Sequence, residues 1–426
     1  MKKNLFILAA AALCFAACSS DETIAVNEGL ADANTISFRP LTTNITRTNG
    51  PGIKSTWATG DMFNVYADYA GSKYFQADFT KQEGSNFTSV NKYYWPADIS
   101  NSKKVTFTAI WGATQVADTP GNIADFSPET AAASQVDVLL AKEEYSSKPS
   151  ENSTAGAAKL NFRHILSQIV VNAKNSNPNL KVTISGVRVG YIKTSGDFAY
   201  TGGVTTTQET AENGAAGTLT AGATMVAQNN WSLDAFASPV ENTTAFDYKY
   251  DQASALVLSG QVDASTPFTS GWTPWILLPQ TQSAATAYGT NQSGTVIKAT
   301  TDTKYEEVTA SSIYQAYPDI NGAYLALQMT IENYVDGAAQ GTIVNKQWCY
   351  WPCNLTWNPG YKYTYTIDVA GGGYQPIDTD NDGNLDPVLE GAVIVFAPTC
   401  TIDAWIDFDG DGSADGVQPI PVSGGI

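Results

Sequence analysis

Histidine is almost missing from this sequence: His164 is the only one in 426 residues. It lies beside an apolar pair, where a lone imidazole is more often packed or capping than catalytic. The chain also lacks a Gly-x-Ser-x-Gly elbow, a phosphate-binding glycine loop and a His-Glu-x-x-His pair. Carboxylate pairs for glycosidase chemistry stay open among the 41 acidic residues, but no spacing singles one out. The sequence therefore predicts a protein that is not an enzyme.

Charge is also scarce, since only 15% of residues are charged, and acidic residues outnumber basic ones by 41 to 23. Removing Lys2 and Lys3 with an N-terminal signal would move the formal net charge from -18 to about -20. Such a surface repels phosphate backbones, which excludes nucleic acid as a partner. Abundant Tyr, Thr, Ser, Gly and Asn are typical of extracellular β-rich proteins.

Cysteine is limited to five residues, of which Cys14 and Cys18 lie at the start of the chain. The other three are an odd number, so they allow at most one disulfide. Cys349 and Cys353 would lie about 13 Å apart in an extended chain, beyond bridging distance, while either could pair with Cys400. We expect all three to be free and buried as small apolar groups.

The first 17 residues have the form of a secretory signal: two lysines, an apolar run over 5–13, and small residues before Cys18. The run is too short to span a membrane, which takes roughly 20 apolar residues. Cys18 resembles the acylated cysteine of bacterial lipoproteins, and more than one acyl chain would anchor the chain stably. Plain cleavage that leaves Cys18 unmodified is the alternative. The segment Ser19–Glu22 resembles the signal that sends Bacteroidetes lipoproteins to the cell surface.

Apolar residues alternate with period two along most of the chain, and no amphipathic helix of convincing length is found. The clearest strand is Tyr361–Val369, and a short strand over 35–38 precedes Arg39-Pro40, which predicts a sheet edge. The segment 146–158, rich in Ser, Pro, Gly and Ala, is the best candidate for a domain boundary. These patterns predict an all-β chain of two tandem β-sandwich domains, over 48–158 and 159–426.

Two loops near the C-terminus share the pattern D-x-D-x-D-G-x-x-D, whose alternating carboxylates suit calcium, a cation that prefers six to eight oxygen ligands. Neither loop has the Glu at position 12 of an EF-hand, so we expect modest affinity and a stabilising role. The alternative is that the Asp-Gly pairs make hairpin turns. The candidate ligands are Asp378, Asp380, Asp382, Asn384 and Asp386 in one loop, and Asp407, Asp409, Asp411, Ser413 and Asp415 in the other.

An ordered series of short segments resembles the fimbrillin family of Bacteroidales, the subunits of type V pili and their lipoprotein relatives. Each segment is weak by itself, but together they span most of the chain after the signal in the family's order. The two Asp-rich loops depart from the simplest members. The segments are Trp57–Asp61, Tyr94–Pro96 before Val105–Phe107, Asp137–Ala141, Leu160–Ser167, Leu278–Gln280 and Trp357–Tyr365.

The resemblance implies two transthyretin-like β-sandwiches and an assembly mechanism. An arginine-specific protease cuts near the start of the first domain, the first strand leaves, and a strand of the next subunit fills the groove. After the signal the chain has four arginines, at 39, 47, 163 and 188, and only Arg47 is expected in an open loop. This predicts a cut between Arg47 and Thr48, with 18–47 as a lipidated tether and removable first strand. The alternative is that Arg47 is an ordinary solvated loop residue.

The sequence thus predicts a fimbrial subunit, an outer-membrane lipoprotein at the cell surface whose partners are other subunits, the protease and host or bacterial surface ligands. A second hypothesis is a surface glycan-binding lipoprotein with aromatic side chains that stack on sugars. The candidates for stacking are Trp272, Trp348 and Trp351, although core or edge packing suits them better.

Overall fold

The structure is a computed structural model that describes residues 34–40, 57–83, 86–149, 157–203, 226–236, 249–268, 272–284, 322–374, 387–389 and 399–404. These ranges contain no α-helix and only short 3-10 turns, at Ala132–Ser134, Gln228–Asn230 and Val369–Gly371. Accordingly, none of the described segments forms a helix able to cross a membrane. The all-β prediction is confirmed.

The described ranges contain 22 strands. In chain order they are β1 (Phe38–Pro40), β2 (Met62–Tyr69), β3 (Ser72–Lys81), β4 (Phe87–Thr88), β5 (Val105–Trp111), β6 (Asn122–Phe126), β7 (Leu139–Tyr145), β8 (Ala158–Leu160), β9 (Arg163–His164), β10 (Ser167–Asn175), β11 (Leu180–Gly190), β12 (Gly196–Ala199), β13 (Trp231–Leu233), β14 (Lys249–Ser259), β15 (Val262–Pro267), β16 (Trp275–Leu277), β17 (Thr281–Gln282), β18 (Tyr324–Val335), β19 (Ala338–Pro352), β20 (Leu355–Thr356), β21 (Tyr361–Asp368) and β22 (Thr399–Ala404).

The N-terminal strands form one eight-stranded sheet in the order β8-β1-β4-β3-β2-β5-β7-β9. Alternate residues of each strand point into the core. Many of these inward residues are aromatic. The expected pattern of β5 is confirmed on its inner face, where Val105, Phe107 and Ala109 are fully buried. On the outer face Thr106 is half-buried and Thr108 is buried.

Two further sheets enclose the largest core, one of order β14-β11-β18-β19 and one of order β15-β10-β21-β22 with β16 beside β10. Strand β21 shows the predicted alternation, since Tyr363, Tyr365 and Ile367 are buried and the residues between them are half-buried. The indole Nε1 of Trp357 donates to the Tyr365 hydroxyl at 2.9 Å. The rings therefore satisfy their polar atoms within the core.

A third, smaller cluster joins the two halves of the chain. Strand β6 pairs with β12, which in turn pairs with β13. Trp231 in β13 is buried, and its Nε1 donates to the carbonyl of Ile165 at 2.8 Å. Strands β8 and β9 still pair within the N-terminal sheet. That sheet therefore runs past the predicted boundary at 158, as far as His164.

None of Cys349, Cys353 and Cys400 forms a disulfide, as expected. Cys349 and Cys353 are buried, and burial raises the pKa of the Cys353 thiol to about 12. Cys400 is half-buried and lies opposite Tyr365 in the β21–β22 ladder. The thiols of Cys349 and Cys353 therefore serve as small apolar groups in the core.

Candidate functional site: the seat of the first strand

Strand β1 lies inside the N-terminal sheet and not at its edge, which corrects the prediction from Arg39-Pro40. Phe38 is antiparallel to Phe87 of β4, and residues 38–40 run parallel to Ala158–Leu160 of β8. The proline is tolerated because β4 pairs only with Phe38, so the ladder on that side needs no N–H at Pro40. The first strand is held on both sides.

Phe38 is fully buried and inserts into a group of aromatic rings. Its ring centroid lies 4.7 Å from that of Phe79 and 4.9 Å from that of Phe107, both edge to face. A third contact, to Phe63, is at 6.2 Å. Such pairs contribute about 0.5–1.5 kcal/mol each beyond the burial of their area. Phe38 is thus the main side chain that fastens β1 to the core.

The residues before Phe38 extend the attachment along the chain. Ile36 is 1% exposed, and its N–H donates to the carbonyl of Tyr93 at 2.7 Å. Trp95 N–H donates to the carbonyl of Asn34 at 3.0 Å, and Ala158 N–H donates to that of Ser37 at 2.8 Å. We call the position that β1 occupies its seat, and the two neighbouring strands, β4 and β8, its walls. Two of the family-like segments, 94–96 and 160–167, therefore begin on or beside these walls.

Each wall also has contacts outside β1, and for β8 these are side-chain contacts, because β1 is its only partner strand in the sheet. On one side, the Tyr145 hydroxyl accepts from the N–H of Lys159 at 2.7 Å and donates to its carbonyl at 2.9 Å. On the other side, β4 continues into the sheet through β3, where Lys81 lies opposite Phe87. Sequence reasoning missed Tyr145, because nothing local in its segment indicates a partner 14 residues away.

The segment Trp57–Asp61 makes the turn that leads into β2. Asp61 Oδ2 accepts from the N–H of Ala58 at 2.5 Å, and Gly60 has φ +91°, a conformation that favours glycine. Trp57 is 9% exposed, and its ring packs edge to face on Phe87 at 5.3 Å. Trp57 therefore helps to hold the β4 wall.

Comparison with known proteins identifies the family. A family model described as fimbrillin-like matches residues 46–386. The chain belongs to the fimbrillin-like family. No curated protein matches it. A fimbrial protein from Bacteroides vulgatus ATCC 8482 is a similar solved structure, with 12% identity, TM-score 0.46, and coverage of 88% of this chain and 100% of that one.

A second solved structure, from Bacteroides ovatus ATCC 8483, is of a protein named for cell adhesion. It has 14% identity and TM-score 0.39, and the match covers 88% of this fimbrillin-like chain and 97% of that chain.

Three of the four arginines after the signal lie in strands of this fimbrillin-like chain. Arg163 in β9 is 2% exposed and Arg188 in β11 is 4% exposed, as their apolar surroundings predicted. Burial lowers the pKa of Arg163 to about 10, against the opposing charge of Glu143. Arg188 makes a bidentate pair with Asp251, at 2.6 and 2.7 Å. Neither side chain can enter a protease pocket while the domain is folded.

His164 is packed in the interior, as its sequence context predicted. Its Nδ1 lies 2.6 Å from Asp137 Oδ2, and both side chains are almost fully buried. Asp137 precedes β7 and His164 ends β9, which pairs with β7. The pair therefore ties two strands of the N-terminal sheet together, far from open solvent.

The three tryptophans proposed to stack on sugars, Trp272, Trp348 and Trp351, all pack against other side chains of the protein. Trp351 is 1% exposed in the core. Trp348 lies against the Arg188 guanidinium, 4.2 Å from the ring centroid. Trp272 contacts Phe268 at 5.7 Å between centroids. A sugar has no free face of Trp351 on which to stack.

The remaining sites predicted from sequence, Cys18, Arg47, Thr48 and both Asp-rich loops, lie outside the described residues. Within the described residues no three His, Cys, Asp or Glu side chains converge as a metal site would require.

Proposed function

We propose that this fimbrillin-like chain is a structural subunit of a cell-surface fimbrium that assembles by strand exchange. It is exported as an outer-membrane lipoprotein anchored through Cys18. An arginine-specific protease cuts after Arg47 and releases residues 18–47. A strand of the next subunit then fills the seat that β1 leaves.

The observation that carries this proposal is the position of β1. It is a three-residue strand inserted between two neighbours, with Ile36, Phe38 and Pro40 buried. Each buried apolar side chain contributes roughly 1.5–3 kcal/mol, and each ladder hydrogen bond about 0.5–1.5 kcal/mol. A vacated seat would be unstable and specific for an extended, apolar segment. This is the condition for binding by β-augmentation.

The contacts that each wall makes outside β1 favour exchange over collapse. Two hydrogen bonds between the Tyr145 hydroxyl and Lys159 hold β8 on one side. Pairing with β3 holds β4 on the other side. A groove with fixed walls costs an incoming strand little reorganisation, which is the benefit of preorganisation. An adhesive role would follow from surface display of the polymer.

The cleavage site is supported by elimination. Arg163 and Arg188 are buried, and Arg39 lies in β1 next to Pro40, a bond that most proteases do not cut. Arg47 remains, seven residues after the end of β1. A cut there separates β1 from the rest of the domain and frees the chain from its lipid in one step.

The test is surface expression of the full chain with Arg47→Ala, compared with the wild type and with Arg39→Ala as the matched control. We expect wild type and control to give a ladder of high-mass polymer on unboiled gels, with Thr48 as the new N-terminus. Arg47→Ala should leave a membrane-bound monomer. A polymer ladder from Arg47→Ala would refute the cleavage role.

A further inference from the structure

A cleft lined mainly by residues with polar side chains opens on the outer face of the N-terminal sheet, opposite the face on which Phe38 is buried. It crosses strands β2, β5 and β7 and has a volume of about 350 Å³. Farther along the same strands this face carries the apolar side chains of Ile110 and Leu140, which are buried in the third cluster. The cleft therefore lies where the cover over the sheet ends.

Strand register arranges the floor of the cleft in two rows. Asp68 is paired with Thr106, and Thr106 with Glu144. Next to them Tyr66 is paired with Thr108, and Thr108 with Lys142. Side chains on one face of neighbouring strands are about 5 Å apart, so the two rows form a compact grid. One row offers carboxylates and a hydroxyl, and the other an aromatic ring, a hydroxyl and an ammonium.

The ammonium of Lys142 is held in place at the side of the cleft. Its Nζ donates to the carbonyl of Gly202 at 2.7 Å and lies 5.9 Å from the centre of the Tyr200 ring. Burial lowers the pKa of Lys142. An ammonium has three donors, so Lys142 can donate to a ligand as well as to Gly202.

The carboxylates are similarly held by neighbouring groups. Lys104 Nζ lies 2.5 Å from Glu144 Oε1, and Asp68 Oδ1 accepts from the N–H of Gly71 at 2.8 Å. Each carboxylate keeps further lone pairs that can accept from a ligand. The lining carries two carboxylates in one row and one ammonium in the other, so an anion meets repulsion from Asp68 and Glu144, and a cation meets repulsion from Lys142.

We propose that this cleft binds one neutral hexose unit of a glycan. Each sugar hydroxyl both donates and accepts, which matches a floor where carboxylates accept, lysine donates and threonine hydroxyls do both. The volume is at the lower end of the range for ligand sites, about 300–1,000 Å³, and suits a single sugar ring with its substituents.

This inference does not depend on strand exchange, because the cleft lies opposite the face of the sheet on which Phe38 is buried. It gives the glycan-binding hypothesis a different site from the three tryptophans. Recognition here would rest on hydrogen bonds in a register fixed by β2, β5 and β7.

The test is saturation-transfer NMR on the purified full chain with the methyl glycosides of glucose, galactose, mannose and N-acetylglucosamine. Methyl glucuronide serves as the charged probe. We expect saturation transfer to at least one neutral glycoside, with a Kd on the order of 1 mM, since a hexose has only about twelve non-hydrogen atoms. Thr106→Val removes a hydroxyl and Glu144→Gln replaces a charged acceptor by a neutral amide, so each should weaken binding about tenfold.

The matched control is Thr364→Val, a half-exposed strand threonine in the C-terminal sheet, which should bind like the wild type. The proposal is overturned if no neutral glycoside binds, if only the glucuronide binds, or if both cleft variants bind as the wild type does. Melting midpoints of the variants show whether they are folded. Polymer formation by Thr106→Val is measured in parallel. A variant that loses glycoside binding but still forms the polymer ladder shows that the cleft and subunit assembly are separate.

Discussion

Phe38 in the first strand and Phe107 in β5 meet edge to face, with ring centroids 4.9 Å apart and planes at 85°. The two strands are four places apart in the order of the sheet, so this contact crosses the core beneath the N-terminal sheet. The first strand is thus both a member of the sheet and a part of the core. A segment that fills this place must supply a comparable ring or branched side chain.

Replacing Phe38 by Ala should destabilise the N-terminal domain by about 3–5 kcal/mol, because it removes a fully buried ring and leaves a cavity. Denaturant unfolding followed by tryptophan fluorescence measures the change. The control is Val90→Ala, whose side chain is fully exposed and whose effect should stay within about 0.5 kcal/mol. Equal midpoints for Phe38→Ala and the wild type would show that β1 is not part of the core.

An arginine-specific protease should cut the folded chain after Arg47 and leave Arg163 and Arg188 intact, because these two side chains are 2% and 4% exposed. Mass spectrometry of a limited digest identifies the cut. The same digest in denaturant is the control and should add cuts at both buried arginines. Early cleavage at either of them in the folded chain would contradict the assignment.

The C-terminal core should lose stability in alkali. Burial raises the pKa of Tyr324 and of Tyr363 to about 12, from an ordinary value of 10. The unfolded chain releases these protons near pH 10 while the folded chain keeps them, so stability is complete below pH 10 and falls up to pH 12. At pH 11 we expect a loss of about 1 kcal/mol for each of the two tyrosines.

Guanidinium unfolding at pH 8 and pH 11 measures this loss. Absorbance at the phenolate band provides the control, since exposed tyrosines should ionise near pH 10 before the unfolding transition. An unchanged midpoint between the two pH values would contradict the burial of these hydroxyls.

Calcium should raise the melting temperature of the chain by a few degrees relative to chelator, if the two Asp-rich loops bind it. The double variant Asp380→Asn/Asp409→Asn should lose this difference, because each loop then lacks its second carboxylate. Asp263→Asn, an exposed strand residue, is the control and should keep the difference. Equal melting temperatures of the wild-type chain with calcium and with chelator would contradict calcium binding by these loops.

Local sequence patterns predicted most of the strands but not the arrangement that makes the seat. The alternation over Tyr361–Val369 and the inner face of β5 were readable because each depends only on period two. The place of β1 was not, since Phe38 pairs with Ala158 across 120 residues and nothing local fixes such a partner. Pro40 favoured an edge because the rule for proline assumes partners along the whole strand, whereas β4 pairs at one residue.

The polar cleft was unpredictable for the same reason. Thr106 and Thr108 were predicted to face away from the core, but their neighbours in β2 and β7 follow from register alone. The burial of Arg163, Arg188 and His164 was predictable, because apolar neighbours in sequence usually accompany a residue into the core.

Strand exchange requires β1 to leave its seat before subunits can join. Arg39 and Lys159 are register partners on β1 and β8, and both are half-buried. Neighbouring strands place such pairs at a Cα separation suited to a disulfide. The variant Arg39→Cys/Lys159→Cys should therefore lock β1 in place when oxidised, with Arg39→Cys alone as the control.

The deciding measurement is polymer formation by the locked variant after cleavage at Arg47, with and without reductant. We predict that the oxidised protein stays monomeric, with residues 18–47 still attached on a non-reducing gel, and that reduction restores the ladder of polymer. Equal polymer formation by the oxidised and reduced protein would contradict the exchange of the first strand.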